Sequence, residues 1–479
     1  MLKIYNTATK KLEKFRSANG VVKIYTCGPT VYDFQHIGNY AAYIYWDLLI
    51  RTLKLDGFKV KRVLNFTDVG HLESDADEGE DKFEKTSRRD GKSVKEIAQF
   101  YGDDFMRNFR ALNLTEPDII ARATDYIAED MQAVDLMRDH GFTYETRDGV
   151  YYDTSKFDQY ADFARLDLSG LQAGARVGFS AEKRNASDFA VWKFIQPGEK
   201  HAMRWDYLGR PGYPGWHLEC STIIHKELGE PIDIHTGGID HIPVHHTNEI
   251  AETYAAYGCE LAKYWLHCNF ITIDGEKVSK SLGNIYTLDD LAERGFSAMD
   301  FKMWVLSGHY RGERNFTFES LEAAKARRLH WRNRIAACYQ DGALWEKAGR
   351  VVSPEGDPQN VCLENFGGGG DDRTRLDSSV LQTILEAVNN NLNSPEAFAM
   401  IDNADLSLED WQKVDELFGL NLLIDTPDID DEVRDLIFKR QVAREDKNWA
   451  ESDRLRDLLA TKNIGVKDTP NGPIWEYLK

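Results

Sequence analysis

Apolar and polar positions change period along this chain, and each change marks an element. VVKIYTC, ending at Cys27, is a short apolar run with β-branched residues before Gly28 and Pro29, the pattern of a buried strand that stops in a turn. After the stretch His36-Ile37-Gly38-Asn39, residues Ala42, Tyr45, Trp46, Leu49, Ile50 and Leu53 recur at helical spacing. Residues 58–69 (FKVKRVLNFTDV) predict a second strand, so 20–70 reads as a β-α-β unit and implies a parallel sheet. Amphipathic helices are predicted over 94–112 and 124–140. From 141 to about 205, short strands and turns replace that rhythm, as an insertion splitting the sheet would. Helix–strand alternation returns near 214: WHLECSTIIHKEL is helical, PIDIHTGG ends a strand, and HHTNEIAETYAAY is helical again. WLHCNFITI predicts one further strand before the loop DGEKVSKSLGN. Beyond 318 the pattern is helical, interrupted by a connecting segment with four consecutive glycines, and 428–479 makes a last unit of two helices with a turn-rich end.

Composition narrows the class. With 479 residues the chain should hold about three domains, and its 42% hydrophobic and 29% charged residues are those of a soluble globular protein. Cysteines at 27, 220, 259, 268, 338 and 362 form no disulfide framework, which points to a reducing compartment. The first residues lack the apolar core of a signal peptide, and no apolar stretch reaches membrane-spanning length, so a cytoplasmic protein is expected. A net charge of −20 argues against general polyanion binding, but a local basic face suffices for nucleic acid. Residues 325–334 (KARRLHWRNR) offer such a face, or a merely solvated one.

Three stretches could carry chemistry. A helix start presents unpaired N–H groups and the positive end of a dipole, so His36, Gly38 and Asn39 could receive a phosphate. The same residue types also cap and pack helices. His245 and Glu249, four apart, share one helical face. With Cys27 and Cys220 they make two thiolates, an imidazole and a carboxylate, an acceptable zinc shell, although His246 could geometrically replace His245. Cys27 alone reads better as a small buried hydrophobe. Lys277 and Lys280, in KVSKS between Gly275 and Gly283, could close over phosphates, or form an ordinary basic loop.

Together, HIGN after a strand and a late KVSKS resemble the class I aminoacyl-tRNA synthetases. YTCGPTVYD, NFTDV, DFAVWK, PGWHLECS, HTGGID with HHTNEIAE, KVSKSLGN, SGHYR, AREDKNWAESDRLRDLL and GVKDTPNG resemble, more closely, the cysteinyl-tRNA synthetase family over essentially the whole chain. The resemblance implies an α/β fold: a Rossmann-like parallel-sheet catalytic domain with an inserted domain, followed by helical domains. Its implied divisions are 1–115 and 206–317 for the two catalytic halves, 116–205 for the insertion, 318–425 for a helical bundle and 426–479 for an anticodon-binding domain.

The implied activity is ATP- and Mg²⁺-dependent activation of L-cysteine and its transfer to the 3′ end of tRNA(Cys), by a cytoplasmic monomer without a membrane partner. One Zn²⁺ would be held by Cys27, Cys220, His245 and Glu249, with Thr67 and Trp216 lining the cysteine pocket. His36, Gly38, Asn39, Gly237, Gly238, Asp240 and Lys280 would contact ATP. His36, Asn39, Lys277 and Lys280 would be catalytic, the two lysines on the pyrophosphate side. Arg444, Trp449, Asp453 and Asp468 would read the anticodon, Trp449 by stacking, and the basic 325–334 helix would face tRNA backbone.

This chain departs from the family pattern in several places. The general class I second histidine is Asn39, GHLESDADEGED follows NFTDV where the family runs into a short DDK, and Thr247 stands in place of an acid. PGYPGWHLEC also carries extra residues before Trp216. Neither those acids nor His71 receives a role. An ATP-dependent ligase joining cysteine to a small amino sugar, as in the mycothiol pathway, is the alternative, though it needs no anticodon reader. A non-catalytic relative that only binds tRNA or zinc is the other.

Overall fold

The computed structural model describes residues 1–17, 20–69, 82–166, 182–199, 201, 203–277, 283–340, 378–470 and 472–479. Two units divide the chain, one of residues 1–298, 308–317 and 388–393, the other of 299–307, 318–387 and 394–479.

The first unit opens with a hairpin, β1 (Lys3–Asn6) against β2 (Lys11–Lys14). β3 (Val21–Thr26), α1 (Ile37–Leu55) and β4 (Lys59–Phe66) then form the expected β-α-β unit, with β3 and β4 parallel from Val21↔Lys59 to Thr26↔Leu64. α2 (Lys82–Asp90) precedes α3 (Val94–Ala111), whose start is fixed reciprocally: the Ser93 hydroxyl accepts the Glu96 N–H, and the Glu96 carboxylate accepts the Ser93 N–H at 2.9 Å. β5 (Ile119–Arg122) follows and pairs with β4. No strand is expected there, because four residues between EPD and ATD show too little alternation to register. Sequence reading begins the insertion at 116, yet this segment supplies an edge strand of the parallel sheet. α4 (Ile127–Asp139) lies next in the chain.

β6 (Thr143–Glu145), β7 (Gly149–Tyr152), β8 (Phe189–Phe194), β9 (Trp205–Tyr207) and β10 (Arg210–Pro214) make a separate antiparallel sheet in the order β6-β7-β8-β10-β9. Tyr152 stacks on Phe189 at 5.1 Å, and buried Trp192 packs on Tyr207 at the same separation. α5 (Leu218–Glu227), β11 (Ile232–Gly238), α6 (His245–Tyr257) and β12 (Ala262–Cys268) return the chain to the parallel sheet, whose full order is β12-β11-β3-β4-β5. WLHCNFITI is therefore not one strand. It breaks at Asn269 and Phe270, and β13 (Ile271–Ile273) pairs instead with β14 (Glu276–Lys277) and with β15 (Arg314–Phe316). α7 (Leu288–Glu293) completes this unit's helices, capped by the Thr287 hydroxyl.

The second unit holds α8 (Ala298–Leu306) from Met299 onward, α9 (Phe318–Cys338), most of α10 (Ser378–Asn389), α11 (Ser394–Asn403), α12 (Leu408–Phe418), α13 (Asp431–Glu445) and α14 (Trp449–Thr461). The turn-rich end is a hairpin, β16 (Ile464–Thr469) against β17 (Gly472–Tyr477). Trp331 on α9 meets Phe398 on α11 at 4.8 Å and Trp411 on α12 at 5.8 Å, all three fully buried. At about 200 Å² of apolar area each, the two tryptophans contribute roughly 5 kcal/mol apiece before entropy is counted.

The basic run 325–334, expected to face nucleic acid, is largely internal glue. Arg328 and Arg332 are buried: Arg328 pairs with Asp425 and with Asp300 at 3.7 Å, and Arg332 donates to Thr426 Oγ1 at 3.1 Å and the Lys479 carbonyl at 2.7 Å. Arg327 pairs with Asp402 at 2.8 Å, and Arg334 donates to the carbonyls of Ile401, at 2.6 Å, and Ala404. Guanidinium forks suit such carbonyl-rich helix ends, so a run of arginines need not be a solvated face. Among the described residues no helix is long and apolar enough to cross a membrane.

Candidate active site

In the parallel sheet the chain leaves β3 toward β4 on one side and resumes with β11 on the other. This is a topological switch point, where open parallel sheets leave a crevice beyond their strand ends. The Cys27 N–H donates to the Thr236 carbonyl at 3.2 Å, which ties the residue after β3 to β11. Gly28 follows where a Cβ would overlap the Asn65 carbonyl oxygen, and its N–H donates to Asn65 Oδ1 at 2.8 Å. Only glycine allows this approach.

Cys27 at the end of β3, Cys220 on α5, and His245 and Glu249 on α6 converge beside that crevice. All four are buried, and one donor atom from each lies within 4.8 Å of the others. Cys220 Sγ is 3.5 Å from His245 Nε2, which is 2.9 Å from Glu249 Oε1. A tetrahedral cation with bonds of about 2.0–2.3 Å needs donors roughly 3.3–3.8 Å apart, so small adjustments would seat one.

A second grouping, Cys27, His235, His246 and Glu249, shares two members with the first. His235 Nε2 lies 2.6 Å from Glu249 Oε2, and His246 Nε2 lies 3.3 Å from Cys27 Sγ. The other His246 nitrogen meets His267 Nε2 at 2.7 Å, and His267 Nδ1 meets the Thr7 hydroxyl at 2.7 Å. His235 and His267 were not singled out from sequence, although HTGG, HHT and LHC place histidines near the ends of β11, α6 and β12.

Charged and titratable groups in this cluster shift one another. Burial pushes the Glu249 carboxyl up, but His235 and His245 outweigh it and hold it down at about 2. Burial pushes the Cys27 thiol up too, yet the Cys220 hydrogen bond, His246 and His235 bring it well below the usual thiol range. Burial and the neighbouring Cys27 raise Cys220 well above that range. Of the two thiols Cys27 is the more acidic and Cys220 the less, and a divalent cation would favour the thiolate form of both. Burial and His235 lower His246 to about 4, leaving it neutral and able to accept or ligate.

Thr67, one residue beyond β4, is buried, and its hydroxyl donates to Glu219 Oε1. Asn65 Nδ2 donates to the same oxygen at 3.2 Å. Glu219, adjacent to Cys220, is a further polar member that sequence reading passed over, because an acid at a helix start reads as dipole compensation. Trp216 stacks on His245, with ring centroids 4.7 Å apart and planes 23° apart, so it adjoins the metal-type cluster.

At the start of α1, His36 is the residue before the helix, and Asn39 Oδ1 accepts its N–H at 3.1 Å. Gly38 lies in the first turn. The Tyr286 carbonyl, just past the KVSKS stretch, accepts the Ile37 N–H at 2.8 Å and so ties the two motifs' segments together. Gly237 and Gly238 end β11, and a Cβ at Gly237 would stand 2.7 Å from the rings of His241 and His246. Asp240 is exposed in the turn that follows. The Lys277 backbone belongs to β14, while Lys280 and the rest of KVSKS lie outside the described residues, as do His71 and the acidic stretch after NFTDV.

In the second unit, Arg444 near the end of α13 pairs with Asp468 of β16 at 3.3 Å and lies over the Trp449 ring at 5.5 Å. Trp449 is 55% exposed, which is unusual for so large an apolar ring. Asp453, one turn along α14, pairs with Arg456 at 2.9 Å. The residue missed here is Arg440, which is buried and grips Asp468 with two hydrogen bonds of 2.7 and 3.0 Å. Its one-turn spacing from Arg444 was the available signal.

Comparison with known proteins is consistent across the chain. The family model described as the tRNA synthetases class I (C) catalytic domain matches residues 14–326, and the cysteinyl-tRNA ligase anticodon binding domain matches 426–475. A cysteine–tRNA ligase 1 from Burkholderia lata is 42% identical over 480 residues, covering 98% of this chain and 96% of that one. A cysteine–tRNA ligase from Treponema denticola is 37% identical, with 100% of both chains covered. Among solved structures, Mycobacterium tuberculosis methionyl-tRNA synthetase in complex with methionyl-adenylate matches with a TM-score of 0.57 at 17% identity, over 84% of this chain and 88% of that one, a likeness of fold.

Proposed function

This chain belongs to the cysteine–tRNA ligase family of class I tRNA synthetases, and on that premise we propose how its own residues carry the reaction. It is an aminoacyl-tRNA ligase that takes cysteine, ATP and tRNA. In the proposed sequence the cysteine carboxylate attacks the α-phosphorus of ATP, with Mg²⁺ on the nucleotide, giving cysteinyl-adenylate and diphosphate. A ribose hydroxyl at the tRNA 3′ end then attacks the acyl carbon and releases AMP. No side chain acts as a nucleophile, so positioning and charge stabilisation supply the rate.

Cys27, Cys220, His245 and Glu249 would hold zinc. Two sulfurs, one imidazole and one carboxylate form a borderline-soft set that fits this ion, and their mutual proximity in a buried cluster is the observation that carries the reading. His245 is preferred to His246 because its Nε2 adjoins both Cys220 and Glu249, whereas His246 is engaged with Cys27 and His267. Bound there, zinc supplies a Lewis acid that favours a substrate thiolate over serine's alcohol, a distinction worth several orders of magnitude without editing. Thr67 and Trp216 border the space the substrate side chain would take. His36, Gly38 and Asn39, with Gly237, Gly238 and Asp240 across the switch point, receive ATP, and Lys277 and Lys280 neutralise the departing diphosphate. Arg444, Trp449, Asp453 and Asp468 read the anticodon, the exposed Trp449 ring offering a stacking surface.

The test is charging of bulk tRNA with labelled cysteine in ATP and Mg²⁺, with and without prior metal stripping. Charging that vanishes on stripping, returns with zinc and is absent in Cys220→Ala supports the reading. Charging indifferent to metal refutes the zinc role. Adenylate formation without charging moves the acceptor to a small molecule.

A further inference from the structure

Phe34 stands two residues before His36, in the loop that leads into α1. Its ring meets Phe100 on α3, with centroids 5.9 Å apart, and Tyr101 at 5.0 Å, and Phe100 meets Tyr101 at 5.1 Å, all edge to face. Tyr101 is buried, but Phe34 and Phe100 are 47% and 46% exposed. A single exposed ring is ordinary, whereas two in mutual contact make a patch that asks for a partner. Positive charge lies beside them. Lys92 Nζ is 4.5 Å from the Phe100 centroid. Arg89 donates to the Tyr101 hydroxyl at 2.9 Å and pairs with Asp90 at 2.6 Å and Asp33 at 3.8 Å, so both of those acids are answered within the patch. From Lys82 to Lys95, six Lys or Arg stand against two acids, in a chain whose net charge is −20. Aromatic faces interleaved with cations suit an unpaired nucleic-acid strand, the rings taking bases and the cations taking phosphates. The reaction brings one such strand to this loop, because the 3′ end of tRNA must reach the acyl carbon activated beside His36.

We propose that Phe34 and Phe100, with Lys92, form a stacking platform for the unpaired 3′ strand of tRNA, holding nucleotides that precede the terminal one while the terminal one enters the site. This deepens the ligase reading above, on which it rests for the strand and its destination. Every base has a face to stack, so the platform holds the strand without reading its sequence.

The probes are a tRNA(Cys) transcript and the same transcript trimmed of its unpaired 3′ nucleotides, with affinities measured by filter binding over a range of salt. The parent protein binds the intact transcript more tightly. Phe100→Leu keeps apolar bulk but removes the ring, so its affinity for the intact transcript falls about tenfold while that for the trimmed one holds. Phe100→Trp retains the parent affinity. Lys92→Gln lowers the slope of log affinity against log salt by about 0.7, on the intact transcript alone. Cysteine-dependent ATP–diphosphate exchange proceeds without RNA, so it stays at the parent rate in all three variants and shows their fold intact. Equal losses on both transcripts, no loss on either, or a matching fall in exchange overturns the proposal. A parent protein that binds the two transcripts equally refutes the platform alone. One that makes adenylate but binds neither transcript refutes the ligase reading, and the platform with it.

Discussion

Asp130 on α4 offers a prediction that can be worked to a number. Its Oδ1 accepts the Thr222 hydroxyl at 2.6 Å, and its buried Oδ2 has no hydrogen-bond partner. Burial pushes this carboxyl up to about 7, the Thr222 hydrogen bond opposing and Glu129 adding to the rise. In the unfolded chain an aspartate titrates near about 3.9. The folded value is the higher one, so between the two the native state keeps a proton that the unfolded state has lost, and stability falls as pH rises through that window. Integrating both titrations gives a cost of about 1.5 kcal/mol at about pH 5 and about 4 kcal/mol at about pH 8. Asp130→Asn abolishes the titration and keeps an oxygen facing Thr222, at a pH-independent cost of roughly 1–3 kcal/mol for an amide left unpaired where Oδ2 was. Relative to the parent, the variant should therefore gain about 2.5 kcal/mol between those two pH values. Urea unfolding of both proteins at each pH, followed by tryptophan fluorescence, measures the difference, and other titrating groups cancel in it. A stability difference that is the same at both pH values refutes the reasoning.

Three further outcomes follow from the same structure. Gly28→Ala forces the β3 turn away from the Asn65 carbonyl and carries Cys27 with it, so bound zinc per chain, measured by colorimetric release, should fall well below one; full occupancy contradicts the close approach. Arg440→Lys keeps the charge but loses the fork on Asp468, so tRNA charging should drop about tenfold while ATP–diphosphate exchange drops less. Equal losses in both assays would remove Arg440 from tRNA recognition. Trp411→Ala empties a fully buried site against Trp331 and should destabilise the second unit by about 3–5 kcal/mol, seen as an earlier urea transition, and an unmoved transition would show the site collapses freely.

How much of this was legible in the sequence depends on distance along the chain. The β3–α1–β4 unit could be read because its strand and helix periods are local and unambiguous. His245 and Glu249 could be paired because one helical turn separates them. Joining Cys27 to Cys220 required the order of motifs, since no spacing rule connects residues on opposite sides of an insertion. β5 and the β16–β17 hairpin escaped because each is short and shows little alternation, and Pro473 interrupts the second. His235 and Glu219 escaped for a different reason. Each looks ordinary in its own element, a histidine in a strand and an acid at a helix start, and only the fold brings them against Glu249 and Thr67. The arginines of α9 misled because sequence shows their charge but not the carbonyls that α11 and the 420–426 segment turn toward them.

The cluster of sulfur, imidazole and carboxylate donors draws on both halves of a sheet that the antiparallel insertion interrupts, and this sets an order of events during synthesis. Cys27 leaves the ribosome long before Cys220, His245 and Glu249 exist. At about 5–20 residues per second that interval lasts about 10–45 s. Throughout it the growing chain holds no complete donor set, and β11 is not yet there to pair with β3. At the proposed zinc site, capture of the cation would therefore wait for the closing of the sheet, and it would clip together β3 and β11, two segments whose pairing the insertion delays.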